Sequence, residues 1–214
     1  MKKTDVCYSA FLQILREELV PAMGCTEPIA VAYAAAKARQ VLGALPERME
    51  VAVSGNIIKN VKRVVVPTTL GMKGIAAAAA AGAARGDAEA ELEVLAHLTA
   101  EDAAAVGAYL EKTSIEVRHA DTPHIFDIDL TAYAGEDSAE VRITDYHTNL
   151  VLIRRCGETL LEKQQTAAGE ETLTDRSCLS VERIVPLPTA WRSRTCGRSS
   201  RVRSNTTWPL RRKG

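Results

Sequence analysis

Cys25 stands in the turn Gly24-Cys25-Thr26-Glu27-Pro28, directly ahead of a run of small apolar residues. Proline suits the first turn of a helix, so Pro28 predicts a helix start, whose unpaired amides and positive dipole end favour a thiolate. On that ground the Cys25 thiol is expected to be more acidic than an ordinary one, with Glu27 opposing the shift. The plain alternative is a packed thiol, because free cysteine is commonly a small buried hydrophobe.

Two further stretches put hydroxyl, glycine and lysine groups side by side: "SGNIIKN", residues 54–60, and "PTTLGMKG", residues 67–74. Amides at such turns can hold a carboxylate, although an ordinary loop has the same composition. Neither matches a phosphate-binding loop or a dinucleotide fingerprint, so no nucleotide site is expected. His97, His119, His124 and His147 lack ligand spacing. With Asp121, Asp127, Asp129 and Asp145 they read as strand edges and turns rather than a metal set. Ser177 and Ser180 lack the glycines of a nucleophile elbow.

The five cysteines, Cys7, Cys25, Cys156, Cys178 and Cys196, form an odd set without a Cys-x-x-Cys pair. That pattern argues against a disulfide framework and a self-contained zinc site, and for reduced thiols. No window reaches the roughly 18 uninterrupted apolar residues of a membrane span, and Arg16, Glu17 and Glu18 do not suit a signal peptide. The expected location is the cytoplasm. Residues 1–185 hold 19 Lys and Arg against 27 Asp and Glu, a balance of −8, whereas residues 186–214 hold eight basic residues and no acidic ones. The tail reads either as a basic nucleic-acid patch or as text from another frame. The second reading is preferred, with a frame change near Val185. Trp191, Ser193, Cys196, Ser199, Ser200, Ser204, Trp208 and Leu210 fall mostly three or four apart, and a shifted frame would make each apolar.

The elements that must position Cys25 follow from periodicity. Cys7, Phe11, Ile14, Leu15 and Leu19 form the stripe of a helix over residues 5–19 that stops before Pro21. A second, alanine-rich helix is expected from about Glu27 to Leu42, closed by Gly43. "RMEVAVSG" alternates like a strand, and "RVVVP" is a second short apolar run. Helices are expected for "GMKGIAAAAAAGAARG", "ELEVLAHL" and "AEDAAAVGAYLEK". "SIEVRHA", "HIFDIDLTAY", "AEVRITDYH" and "LVLIRR" read as four strands of an antiparallel meander. The fold class is therefore α+β, with alanine-rich helices packed on an antiparallel sheet of about four to five strands. The expected division is a mainly helical part over residues 1–113 and a strand region over 114–163. A linker and helix start over 164–185 and the basic tail over 186–214 follow.

"VPAMGCTEPIAVAYAAAKAR", "VSGNIIKNVKRVVVPTTLGMKGIAAAAAAG" and "DYHTNLVLI" together resemble the bacterial and archaeal L-cysteine desulfidases, relatives of the iron-sulfur serine dehydratase alpha chain. The resemblance covers nearly all of residues 5–185. It implies a lyase that eliminates sulfide from L-cysteine, releasing pyruvate and ammonia, with a four-iron four-sulfur cluster. It also implies that Cys25 is the base removing the α-proton, and that Lys59 or the turn of Ser54, Gly55 and Asn56 holds the substrate carboxylate. The family's cluster cysteines lie beyond the region matched, and Cys156, Cys178 and Cys196 do not match them in context. The chain is accordingly expected to be the N-terminal half of such an enzyme with a damaged end, holding no cluster and inactive alone.

The alternatives are an L-serine dehydratase-like ammonia-lyase and a non-catalytic amino-acid-binding or interaction domain. The expected partner is a small amino acid, with no nucleic acid and no membrane. An exposed alanine helix admits a homo-oligomer.

Overall fold

The computed structural model describes residues 6–19, 21–163 and 174–184. The chain divides into two compact units, Ala22–Gln165 and a smaller one made of Met1–Pro21 with Thr166–Gly214.

The larger unit is built on one helix. α2 (Thr26–Leu42) carries six alanines among its buried residues, and Ile29 to Ala36 are all nearly inaccessible to solvent. Alanine loses no side-chain entropy on burial, and its small side chain lets other backbones approach on several faces. Gly43 ends the helix in the left-handed conformation, its amide donating to the Arg39 carbonyl at 2.9 Å.

α4 (Ile75–Arg85) crosses α2 at its own alanine run. The closest point is Gly82, where a Cβ would lie 1.9 Å from the Ala32 carbonyl oxygen. Arg39 of α2 then reaches the open end of α4, donating to the carbonyls of Ala83 at 3.1 Å and Gly86 at 2.7 Å. These are carbonyls that the helix end leaves unpaired. α5 (Ala100–Lys112) packs against α4 and starts with a capping box between Thr99 and Asp102.

Beneath α2 lies a six-stranded sheet of order β2-β1-β3-β4-β5-β6. Its strands are β1 (Arg48–Val53), β2 (Ser114–His119), β3 (Asp127–Ala134), β4 (Asp137–Thr144), β5 (Leu150–Arg155) and β6 (Glu158–Glu162). Met49, Val51 and Val53 of β1, Ile128, Leu130 and Ala132 of β3, and Ala139, Val141 and Ile143 of β4 join the alanines of α2 and α4 in one core. Helical and strand segments on either side of residue 113 therefore share a single hydrophobic interior.

The α+β class and the antiparallel meander hold, with the meander running β3-β4-β5-β6. β2 is not its first strand. It pairs in parallel with β1, which lies between it and β3, so a strand from the helical part completes the sheet. Pairing in parallel needs a long crossover, which α3 (Gly55–Val61), α4 and α5 supply. β6 lies at the sheet edge, entered through left-handed Cys156 and Gly157, and its residues are exposed apart from the partly buried Leu161, with no alternation. "RVVVP" forms no strand: Val65 makes one isolated bridge to Lys73 and Val66 anchors a loop. "ELEVLAHL" opens in a 3-10 turn over Ala88–Glu93, broken at Glu91 with φ 46°.

In the smaller unit, α1 (Val6–Glu18) buries Phe11 and Ile14 as its stripe predicts, together with Tyr8. Glu17 accepts bonds from the Thr174 amide at 3.2 Å and hydroxyl at 2.6 Å, and Arg176 pairs with Glu17 and Glu18. α6 (Val181–Ile184) follows where a helix is expected near Ser180. The expected tail of residues 186–214 lies outside the described residues. Among the described residues no helix is long and apolar enough to cross a membrane.

On the sheet face away from the core, Arg142 grips the buried Asp127 with two bonds of 3.0 and 2.7 Å. Asp129 is less fortunate. Burial, then the charges of Glu140 and Asp127, push its carboxyl up to about 6 against the pull of Arg142 and Arg118. A carboxyl whose folded pKa lies above its unfolded value weakens the fold once it ionises, so this cost is absent below about pH 4 and fully present above about pH 6.

Two outcomes follow from this packing. Gly82→Ala forces backbone apart and is expected to cost at least the upper part of the ~1–3 kcal/mol range of overpacking, read as a lower urea midpoint. Asp129→Asn is expected to raise the urea midpoint at pH 7.5 and to leave it unchanged at pH 4.

Candidate active site

Cys25 is the residue just before α2, in extended conformation, and it is half-buried. Its thiol donates to Glu27 Oε2 at 3.2 Å. The Thr26 hydroxyl donates to the same oxygen at 3.4 Å, and Asn60 Nδ2 donates to Oε1 at 3.3 Å. Glu27 thus accepts from both sides, one donor set from its own turn and one from the end of α3.

His147, in the turn between β4 and β5, lies close enough to Glu27 for the two charges to couple when the ring is protonated. Its ring packs on Phe126 at 4.5 Å between centroids, and its Nε2 is buried with no partner among the described residues. Burial pushes His147 below the ordinary imidazole value, with Glu27 pulling the other way, so a neutral ring offers a nitrogen whose hydrogen bond is unmade. The loop after Val66 approaches the turn at Gly24, where a Cβ would lie 3.8 Å from Pro67. That loop is strained: Thr68 and Leu70 take φ of 63° and 56°, a conformation costly for side chains branched at Cβ such as threonine. It is pinned by the Thr68 hydroxyl on the Leu95 carbonyl and by the buried Thr69 hydroxyl on the Val66 carbonyl.

The expected acidification of Cys25 is reversed. Burial pushes the thiol up, and the bond to Glu27 and its negative charge push the same way, outweighing the helix start. Burial would also raise Glu27, but the bonds from Cys25, its own amide and Asn60 bring it below the usual carboxylate value. At neutral pH the pair is a thiol beside a carboxylate.

The remaining residues expected in the site have other surroundings. Ser54 is buried and its hydroxyl donates to the Ile125 carbonyl at 2.7 Å. Gly55 opens α3 beside His119, and Asn56 and Lys59 are exposed. The same helix brings Asn60 to Glu27. Asn60 and His147 both lie inside stretches that the sequence singles out, but neither carries a spacing signal, because each enters from a different element. Among the described residues no group of three His, Cys, Asp or Glu is placed to hold a metal.

Comparison with known proteins corrects the resemblance. The chain is 50% identical over 185 residues to a UPF0597 protein of Desulfitobacterium hafniense (strain Y51), covering 86% of this chain and 43% of that protein. It is 44% identical over 181 residues to a UPF0597 protein of Treponema denticola, covering 83% and 42%, and 49% identical over 160 residues to one of Dichelobacter nodosus, covering 75% and 37%. The chain thus spans about two fifths of the length of these curated relatives. No family model matches the chain. No solved structure matches it.

These relatives are UPF0597 proteins and not L-cysteine desulfidases, so the desulfidase assignment, its serine dehydratase and amino-acid-binding alternatives and its iron-sulfur dependence are set aside. The reading of the chain as a damaged half of that enzyme loses its basis with them. The three motifs that carried the likeness meet around Glu27, and a shared local arrangement does not specify a reaction.

Replacing Glu27 by glutamine removes the charge that holds the proton on Cys25. Iodoacetamide should then alkylate Cys25 faster at pH 7.5 in Glu27→Gln than in the parent, with the midpoint of the rate-against-pH curve shifted down. Peptide mass mapping distinguishes Cys25 from the other cysteines.

Proposed function

We propose that the Cys25–Glu27 pair is a proton-transfer site acting on a small carbonyl compound. The observation that supports this is one carboxylate that accepts from the Cys25 thiol in its own turn and from Asn60 at the end of α3. Glu27 is the base and the Cys25 thiol the acid, since their protonation states at neutral pH are those two roles. A carboxylate is a weak base, so it suits a C–H already acidified by an adjacent carbonyl. Asn60 orients Glu27 by donating to the oxygen opposite the thiol.

The thiol is half-exposed, so a substrate can reach sulfur and carboxylate from one side. The test is solvent deuterium exchange. The protein is incubated in heavy water with a panel of small keto and hydroxy acids, and loss of one C–H signal is followed by proton NMR. Stereospecific exchange is expected, falling at least about tenfold in both Cys25→Ser and Glu27→Gln, the scale of general acid–base assistance. Exchange that persists undiminished in both variants, or that the parent does not accelerate over buffer, defeats the proposal.

A further inference from the structure

Of the described cysteines, Cys25 bonds to Glu27 and Cys156 to Asp137, whereas Cys7 and Cys178 bond to each other. Cys7 sits on the first turn of α1, and Cys178 lies 171 residues later in the segment ahead of α6. Both pack on the Tyr8 and Phe11 cluster of the smaller unit. Arg183 of α6 donates from Nη1 to the Cys7 sulfur at 3.2 Å, and the Cys178 thiol also faces the Asp175 carbonyl at 3.9 Å. A guanidinium on one sulfur and a second thiol beside it is the arrangement of an attacking and a resolving cysteine.

We infer that Cys7 and Cys178 form a reversible disulfide with glutathione disulfide as the oxidant, stapling the segment around α6 to α1. Cys7 releases its proton to solvent, and its sulfur attacks one sulfur of glutathione disulfide. The glutathione S–S bond breaks and one glutathione thiolate leaves, taking a proton from solvent. Cys178 then loses its proton and attacks the Cys7 sulfur of the mixed disulfide, expelling the second glutathione, which is protonated in turn. Two protein thiols are oxidised and one glutathione disulfide is reduced to two thiols. Arg183 faces the sulfur that bears charge in the first step. Burial pushes the Cys178 thiol up, as does its contact with Cys7, which suits the resolving role.

The staple joins positions already held by the Glu17 bonds to Thr174 and the Arg176 ion pairs, so little chain has to be reordered for the bond to form. It closes a long loop, and such closures restrict the unfolded chain most. The inference is independent of the Cys25 site and its test does not read that site.

The full chain, reduced and desalted, is equilibrated in buffers of graded reduced and oxidised glutathione, quenched by alkylation and digested with trypsin. The expected product is peptide 4–16 linked to peptide 177–183, increasing as the buffer becomes oxidising. Oxidation is expected to raise the thermal midpoint, and Cys7→Ser and Cys178→Ser each to abolish both the linked peptide and that rise. Arg183→Gln is expected to slow its formation roughly tenfold, the scale of one charge-assisted hydrogen bond. The inference is overturned if Cys7 and Cys178 carry only glutathione or stay free while the exposed Cys156 is modified. It is equally overturned if Cys178 links to Cys25, Cys156 or Cys196 instead.

Discussion

The approach of Gly82 to the Ala32 carbonyl is the constraint on which the larger unit depends. Two helices in backbone contact leave no room for a Cβ between them, so the axis of α2 is set by α4 on one side and by the sheet on the other. Because α2 is buried nearly all round, its ends have little freedom. The turn at its start, with Cys25 and Glu27, is therefore held relative to α3 and to the β4–β5 turn by packing well away from the site itself. The cost of such a contact is that small residues are required over several turns, which is what the alanine runs supply.

Charge placement follows a different logic on the outer sheet face and at the site. Asp127 is buried but satisfied by Arg142 and Thr122, so it acts as a fixed strut at the start of β3. Glu27 is likewise satisfied, yet its donors include a thiol that can give up its proton. The first arrangement holds structure together. The second leaves a transferable proton at a half-exposed position, near a loop whose left-handed Thr68 is held by the Leu95 carbonyl.

Much of the scaffold was legible in residue order. Pro28 and the alanine spacing marked α2 and Gly43 marked its end, because these are local preferences that act within a few residues. Alternation marked β1 and the strands of the meander. Local rules failed where pairing partners decide: β2 looked like part of the meander but runs parallel beside β1, and β6 gained its strand form from β5 despite weak alternation. "RVVVP" had the composition of a strand and became a loop, since its neighbours bond across a hairpin of bridge length only. At the site, Cys25 was legible from its turn, whereas Asn60 and His147 were not, lying 33 and 120 residues beyond Glu27. The family likeness read from the three motifs also misled, because they encode a meeting place and not a reaction.

By itself the sequence determined the α+β class, the alanine helices and a thiol at the mouth of one of them, all consequences of short-range sterics and hydrophobic periodicity. Only the tertiary structure decided what that thiol is. A helix start favours a thiolate, but burial and the Glu27 carboxylate together are stronger, so Cys25 keeps its proton. Folding alone set Cys7 beside Cys178, because a contact spanning 171 residues leaves no trace in local spacing.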